Sequence, residues 1–140
     1  MRTLILAAML AVLASPALAH HSGVQFDFNK TVQVTGVVKA FDPVNPHMRL
    51  VLEVTDAKGT RAVEFEGYSL NTMFRAGYRP GMVKVGDTMT AEVAPLRNGA
   101  EGGYVAAAVM ASGAKFGQCL TRTRPAVCVK SADAAPRPVR

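Results

Sequence analysis

The stretch that decides the fold is Thr31-Val32-Gln33-Val34-Thr35-Gly36-Val37-Val38-Lys39-Ala40-Phe41. Val32, Val34, Gly36, Val38 and Ala40 fall on one side, and Gln33, Thr35, Val37 and Lys39 on the other. Period-two alternation in a run rich in β-branched residues predicts a strand with one face buried. A glycine in the middle of such a strand marks a bulge or a tight coil of the sheet, and small barrels need such a point to close.

Working outward, Asp42-Pro43-Val44-Asn45-Pro46 is a turn, because two prolines remove donors that a ladder would need. Met48 to Thr55 and Thr60 to Glu66 read as the next two strands, joined by a hairpin at Asp56-Ala57-Lys58-Gly59. From Ser69 the period changes. Ser69 is an N-cap, Leu70, Met73 and Phe74 share a helical face, and Gly77 ends the segment. Thr88 to Pro95 and Tyr104 to Ala111 are the fourth and fifth strands. Toward the N-terminus, Phe26 and Phe28 alternate with polar residues and predict a short edge strand. The expected class is all-β with one short helix. Three strands, a helix and two strands are the element order of the OB-like five-stranded Greek-key barrel; an SH3-like barrel or open sandwich is the alternative.

Residues 1–19 carry the features of an export signal. Arg2 is followed by the apolar run Leu4 to Leu13, a break at Ser15-Pro16, and small residues at Ala17 and Ala19. The expected cut lies between Ala19 and His20, leaving 121 of 140 residues. That length suits one domain with a core, assigned to 20–113. No later apolar run is long enough to span a bilayer, so an integral membrane protein is not expected; the compartment is periplasmic or extracellular.

In such a compartment Cys119 and Cys128 read as a disulfide closing a hairpin over 114–131, worth roughly 2–3 kcal/mol on the chain-entropy model. A redox or metal pair is the competing reading, less suited to so wide a spacing. Residues 132–140, rich in Ala, Pro and Arg, read as a disordered basic tail. Without Arg2 the balance is 15 Lys and Arg against 10 Asp and Glu. That surplus fits an acidic envelope partner or simple solubility. The nine aromatics are spread thin along the chain and no Trp occurs, so a stacking surface for nucleic acid is not expected.

No nucleophile motif or phosphate-binding loop is present, so an enzyme is not expected. The candidate chemistry is in the three histidines. After cleavage, His20 offers an α-amine and an imidazole, and His21 a second imidazole beside a backbone amide. Nitrogen donors of this kind suit a copper or nickel ion. His47 sits at a loop-to-strand junction and would complete the set if the N-terminal arm folds back; the bland alternative is a His47 that ties down a turn through Nδ1. Glu64 and Glu66, two apart on one strand, face the same way; repulsion would raise one of their pKa values.

The ordered pieces His20-His21-Ser22, Phe26-Asp27, Thr35-Gly36-Val37-Val38, Asn45-Pro46-His47, Glu64-Phe65-Glu66, Ser69-Leu70-Asn71, Phe74-Arg75-Ala76-Gly77-Tyr78 and Val85-Gly86-Asp87 resemble the DUF6152 family of small exported bacterial proteins of unknown function. The resemblance covers roughly 20 to 112 and implies an exported domain with a barrel-like sheet, without supplying an activity. Its polar signature falls on His20, His21, Asn45 and His47. Where the family usually has an aromatic after Asn-Pro-His and a Trp on the third strand, Met48-Arg49 and Val63 stand here. Three functions are therefore expected in competition. One is a non-enzymatic binding module for a small ligand, with Asn45, Glu64 and Glu66 near its contact surface. The second is a copper or nickel protein using His20, His21 and His47. The third is an envelope-associated structural protein.

Overall fold

A computed structural model describes residues 23–118. The expected signal segment over 1–19, His20, His21, Cys119, Cys128 and the expected tail over 132–140 all lie outside the described residues. A single turn of 3-10 helix, Gly23–Gln25, precedes the sheet. The strands are β1 (Val32–Asp42), β2 (Arg49–Asp56), β3 (Gly59–Gly67), β4 (Thr88–Pro95), β5 (Gly103–Met110) and β6 (Lys115–Gly117); one helix, α1 (Leu70–Arg75), stands between β3 and β4. The domain is thus mostly antiparallel β-sheet with one short helix.

β1 serves two neighbours because it bends. Val32 to Val37 pair with β4, and Val37 to Asp42 pair with β2. Gly36 makes the bend feasible, since a Cβ there would lie 2.7 Å from the Glu53 carbonyl oxygen. The register slip itself falls between Val38 and Ala40 rather than at Gly36. It turns Phe41 onto the core, where its ring meets Tyr78 at 5.6 Å and Phe116 at 6.5 Å.

β2 and β3 form a long hairpin, and β4 pairs antiparallel with β5. β3 then meets β5 in parallel at Phe65↔Gly103, Glu66↔Tyr104 and Gly67↔Val105. β1 to β5 each have neighbours on both sides. Alternate residues Leu50, Leu52 and Val54 on β2, Val63 and Phe65 on β3, and Met89, Ala91 and Val93 on β4 fill the core.

α1 begins where Ser69 Oγ accepts the Thr72 N–H at 3.3 Å. It buries Met73, and Gly77 at φ +97° turns the chain so that the Tyr78 N–H reaches the Met73 carbonyl. Most of the hairpin expected over 114–131 lies outside the described residues; Lys115–Gly117 adds a sixth strand to β5. Its Gly117 N–H donates to the Ala76 carbonyl at 2.8 Å, fastening the helix end to the sheet. The short strand expected at Phe26 and Phe28 is a single bridge, Phe26↔Leu96.

Candidate functional site

The Asn-Pro-His loop is pinned at both ends. The Leu70 N–H donates to the Val44 carbonyl at 3.1 Å, which docks the loop on the start of α1. Met48 N–H to Tyr68 carbonyl and Gly67 N–H to Met48 carbonyl carry the β2–β3 ladder past its last paired residues. The Asn45–Pro46 peptide is cis.

His47 is held by the end of β3, its Nδ1 lying 3.0 Å from the Gly67 carbonyl oxygen. A carbonyl only accepts, so Nδ1 carries the proton. In the neutral ring this tautomer puts the lone pair on Nε2. The expected tie through Nδ1 is therefore present, and it is also the outer-shell arrangement that orients imidazole ligands in metal sites. Gly67 is required here, since a Cβ would lie 2.5 Å from Met48 Cε and 2.9 Å from the Val105 oxygen.

Beside His47, Arg49 donates to Glu64 Oε2 at 2.7 Å and to Asp42 Oδ2 at 3.4 Å. Arg49 stands directly across from Glu66 in the ladder, but its guanidinium reaches diagonally to Glu64. The expected rise in a carboxyl pKa is reversed at Glu64. The hydrogen bond from Arg49 lowers it, against a weaker opposing effect of burial.

The third wall comes from the N-terminal segment. Arg97 N–H donates to the Gln25 carbonyl and Asp27 N–H to the Pro95 carbonyl, both at 2.9 Å, and Arg97 Nε–H reaches the Val24 carbonyl at 3.0 Å. These bonds lay Gln25 and Phe26 against β4 and β5. The result is a cleft of about 370 Å³ between Gln25, Phe26, His47, Arg49, Glu64 and Glu66. Asn45 is exposed and is not part of its lining.

The aromatic side chains are not spread thin in space. Tyr104 gathers Phe26 at 5.5 Å, Phe28 at 5.4 Å and Tyr68 at 5.2 Å. Phe26 thereby supplies an aromatic wall that Met48-Arg49 and Val63 do not. Burial, then Tyr68 and the Glu66 charge, push the Tyr104 hydroxyl far above the ordinary phenol range. Burial and the Glu92 charge raise Tyr68 likewise. Glu92 is fully buried on β4, the one charged side chain so placed among the described residues. Sequence reasoning passed over Glu92, Arg49 and Gln25. Glu92 has a signal in hindsight, an acid amid the apolar run Ala91-Glu92-Val93-Ala94.

His47, Glu64 and Glu66 are brought to one cleft, but among the described residues no three His, Cys, Asp or Glu side chains are grouped to hold a metal ion. A second polar cluster sits at the other end of the β2–β3 hairpin. Arg61 bridges Asp56 at 2.8 Å and Glu101 at 2.6 Å, joining the hairpin turn to the β4–β5 loop. The Arg61 hydrogen bond, helped by the Lys58 N–H, depresses Asp56 from 3.8 to about 2; Arg61 also lowers Glu101. A carboxyl depressed by folding stabilises the fold above its ordinary pKa and loses that effect as pH falls through its folded value. Stability should therefore drop between about pH 4 and about pH 2. Urea midpoints at both ends of that window, for the parent and Arg61→Gln, test this: the variant should show the shallower fall, and equal falls would contradict it.

Fold and cleft together define a small, mostly antiparallel β-sheet domain with a polar, aromatic-walled cleft beside His47. The chain belongs to a family of unknown function (DUF6152), whose model matches residues 7–106. No curated protein and no solved structure matches it. No helix among the described residues is long and apolar enough to cross a membrane.

Proposed function

We propose that this chain is an exported, non-enzymatic binding protein built on an OB-like Greek-key barrel. The hairpin β1–β2–β3, the helix before β4, and the parallel return of β5 beside β3 support the barrel reading. The leader over 1–19 supports export, and Cys119 and Cys128 are assigned to a disulfide in that compartment. The observation that carries the binding reading is convergence. His47 of the Asn-Pro-His loop, the β3 carboxylates Glu64 and Glu66, and the segment running back toward the mature terminus meet at one cleft. Mixed charge, an aromatic wall and backbone-anchored side chains are what a small polar ligand requires.

A second reading is a copper or nickel site. His21 precedes Gly23, where the 3-10 turn begins, by two residues, a reach of roughly 7 Å for extended chain, and Gln25 at the end of that turn lines the cleft with His47. The mature amine, His20 and His21 would supply nitrogen donors, and His47 would bind through Nε2.

One experiment separates these readings. Correctly processed protein is screened by thermal shift against Cu(II), Ni(II), muropeptides and small organic acids. The true ligand should bind at least about tenfold more weakly to His47→Ala, the loss of about 1.4 kcal/mol. Arg49→Ala should weaken an organic anion but not Cu(II). A ligand indifferent to both substitutions would overturn the assignment of this cleft.

A further inference from the structure

We propose that a second surface, at the C-terminal end of α1, docks onto an anionic phospholipid bilayer. It is distinct from the His47 cleft and does not depend on that reading.

The first observation is charge segregation. Of ten Lys and Arg among the described residues, six have a carboxylate within 4.0 Å: Lys30, Lys39, Arg49, Lys58, Arg61 and Arg97. The four without one are Arg75, Arg79, Lys84 and Lys115. They fall in two stretches, 68–91 and 103–118, that hold a single acid, Asp87. Asp87 is occupied by the Lys84 backbone N–H at 2.9 Å.

The second observation is that these stretches share one end of the molecule. Arg79 donates to the Phe74 carbonyl at 2.9 Å, across the end of α1. Gly117 N–H donates to the Ala76 carbonyl at 2.8 Å, which brings Lys115 to the same end. Met82 and Lys84 face Ala111, Ser112 and Ala114 across a groove of about 350 Å³. The third observation is apolar. Phe74, next to Arg75, is 36% exposed, and Val85, next to Lys84, is 70% exposed.

Cations alone would suit any polyanion. Cations interleaved with an exposed ring and an exposed valine fit a bilayer interface, where headgroups take the charges and the apolar side chains enter the acyl boundary. Gln118, the last described residue, donates its N–H to the Ala106 carbonyl, and the sequence after it holds five further cations against one acid.

The test is cosedimentation of the processed full chain with phosphatidylglycerol–phosphatidylcholine vesicles, with phosphatidylcholine vesicles, and with purified peptidoglycan. The variant R75E/K84E/K115E reverses three side chains that make no hydrogen bond or ion pair among the described residues, so its unfolding midpoint should match the parent. Binding to the anionic vesicles should fall more than about tenfold in that variant. It should also fall on raising salt from about 0.1 M to about 1 M, as the Debye length drops from about 10 Å to 3 Å. Phe74→Ser should weaken vesicle binding while leaving the salt dependence in place. Equal binding by the triple variant, no preference for anionic over neutral vesicles, or retention on peptidoglycan alone would each overturn the proposal.

Discussion

Gly103→Val is expected to destabilise the domain by about 3–5 kcal/mol. Gly103 is the residue at which three strands meet, paired with Phe65 on β3 and Pro95 on β4. Its φ is +146°, where side chains are strained, and a Cβ would overlap the Ala94 carbonyl oxygen and lie 2.5 Å from Val93 Cγ1. Backbone strain contributes about 1–3 kcal/mol and overpacking a similar amount. Neighbouring Gly99 is the control. It also has positive φ, +77°, but a Cβ there meets nothing within 4 Å. Gly99→Ala should cost only about 1–2 kcal/mol. Urea unfolding reads both; similar losses at the two sites would mean that β4 and β5 do not meet as closely at Gly103 as described.

Leu52→Ala should cost about 3 kcal/mol, within the range for emptying a buried leucine site. Leu52 is fully buried on β2, across from Val38 on β1 and Val63 on β3. The strands around it are fixed on both sides, so the cavity has little means of collapse. Its Cβ would also be 3.1 Å from a Cβ at Gly36, at the bend of β1. A loss below about 1 kcal/mol in urea would contradict a core centred on this position.

Much of the sheet was legible because period-two alternation is local. β4 has the expected bounds, Thr88–Pro95, and β1, β2, β3 and β5 differ from expectation by one residue at either end. Ser69 caps α1 as the change of period implied. What local pattern does not carry is register. Arg49 finds Glu64 only because β2 and β3 pair with Arg49 opposite Glu66, so the carboxylates could not be read as a repelling pair or as an ion pair from spacing alone. Aromatics far apart in the chain collect around Tyr104 because β5 returns beside β3 and the N-terminal segment is bonded to the end of β4, next to β5. β6 is three residues long, too short for periodicity to register, and Gly36 pointed to irregularity in β1 without locating the slip at Val38/Ala40. Of the candidate site, His47 was legible as a residue held at a junction; its tautomer was not, since that depends on the Gly67 carbonyl.

The cleft beside His47 is proposed as the contact surface, reached by the chain's own N-terminal segment. The most direct measurement is an amide NMR map of the processed protein, titrated with the ligand that the thermal-shift screen selects and, separately, with Cu(II). With the true ligand, the earliest changes should appear at Gln25, Phe26, His47 and Glu66, and His47→Ala should abolish them. Changes that leave these four residues untouched for every ligand, or that persist in His47→Ala, would contradict a binding site in this cleft.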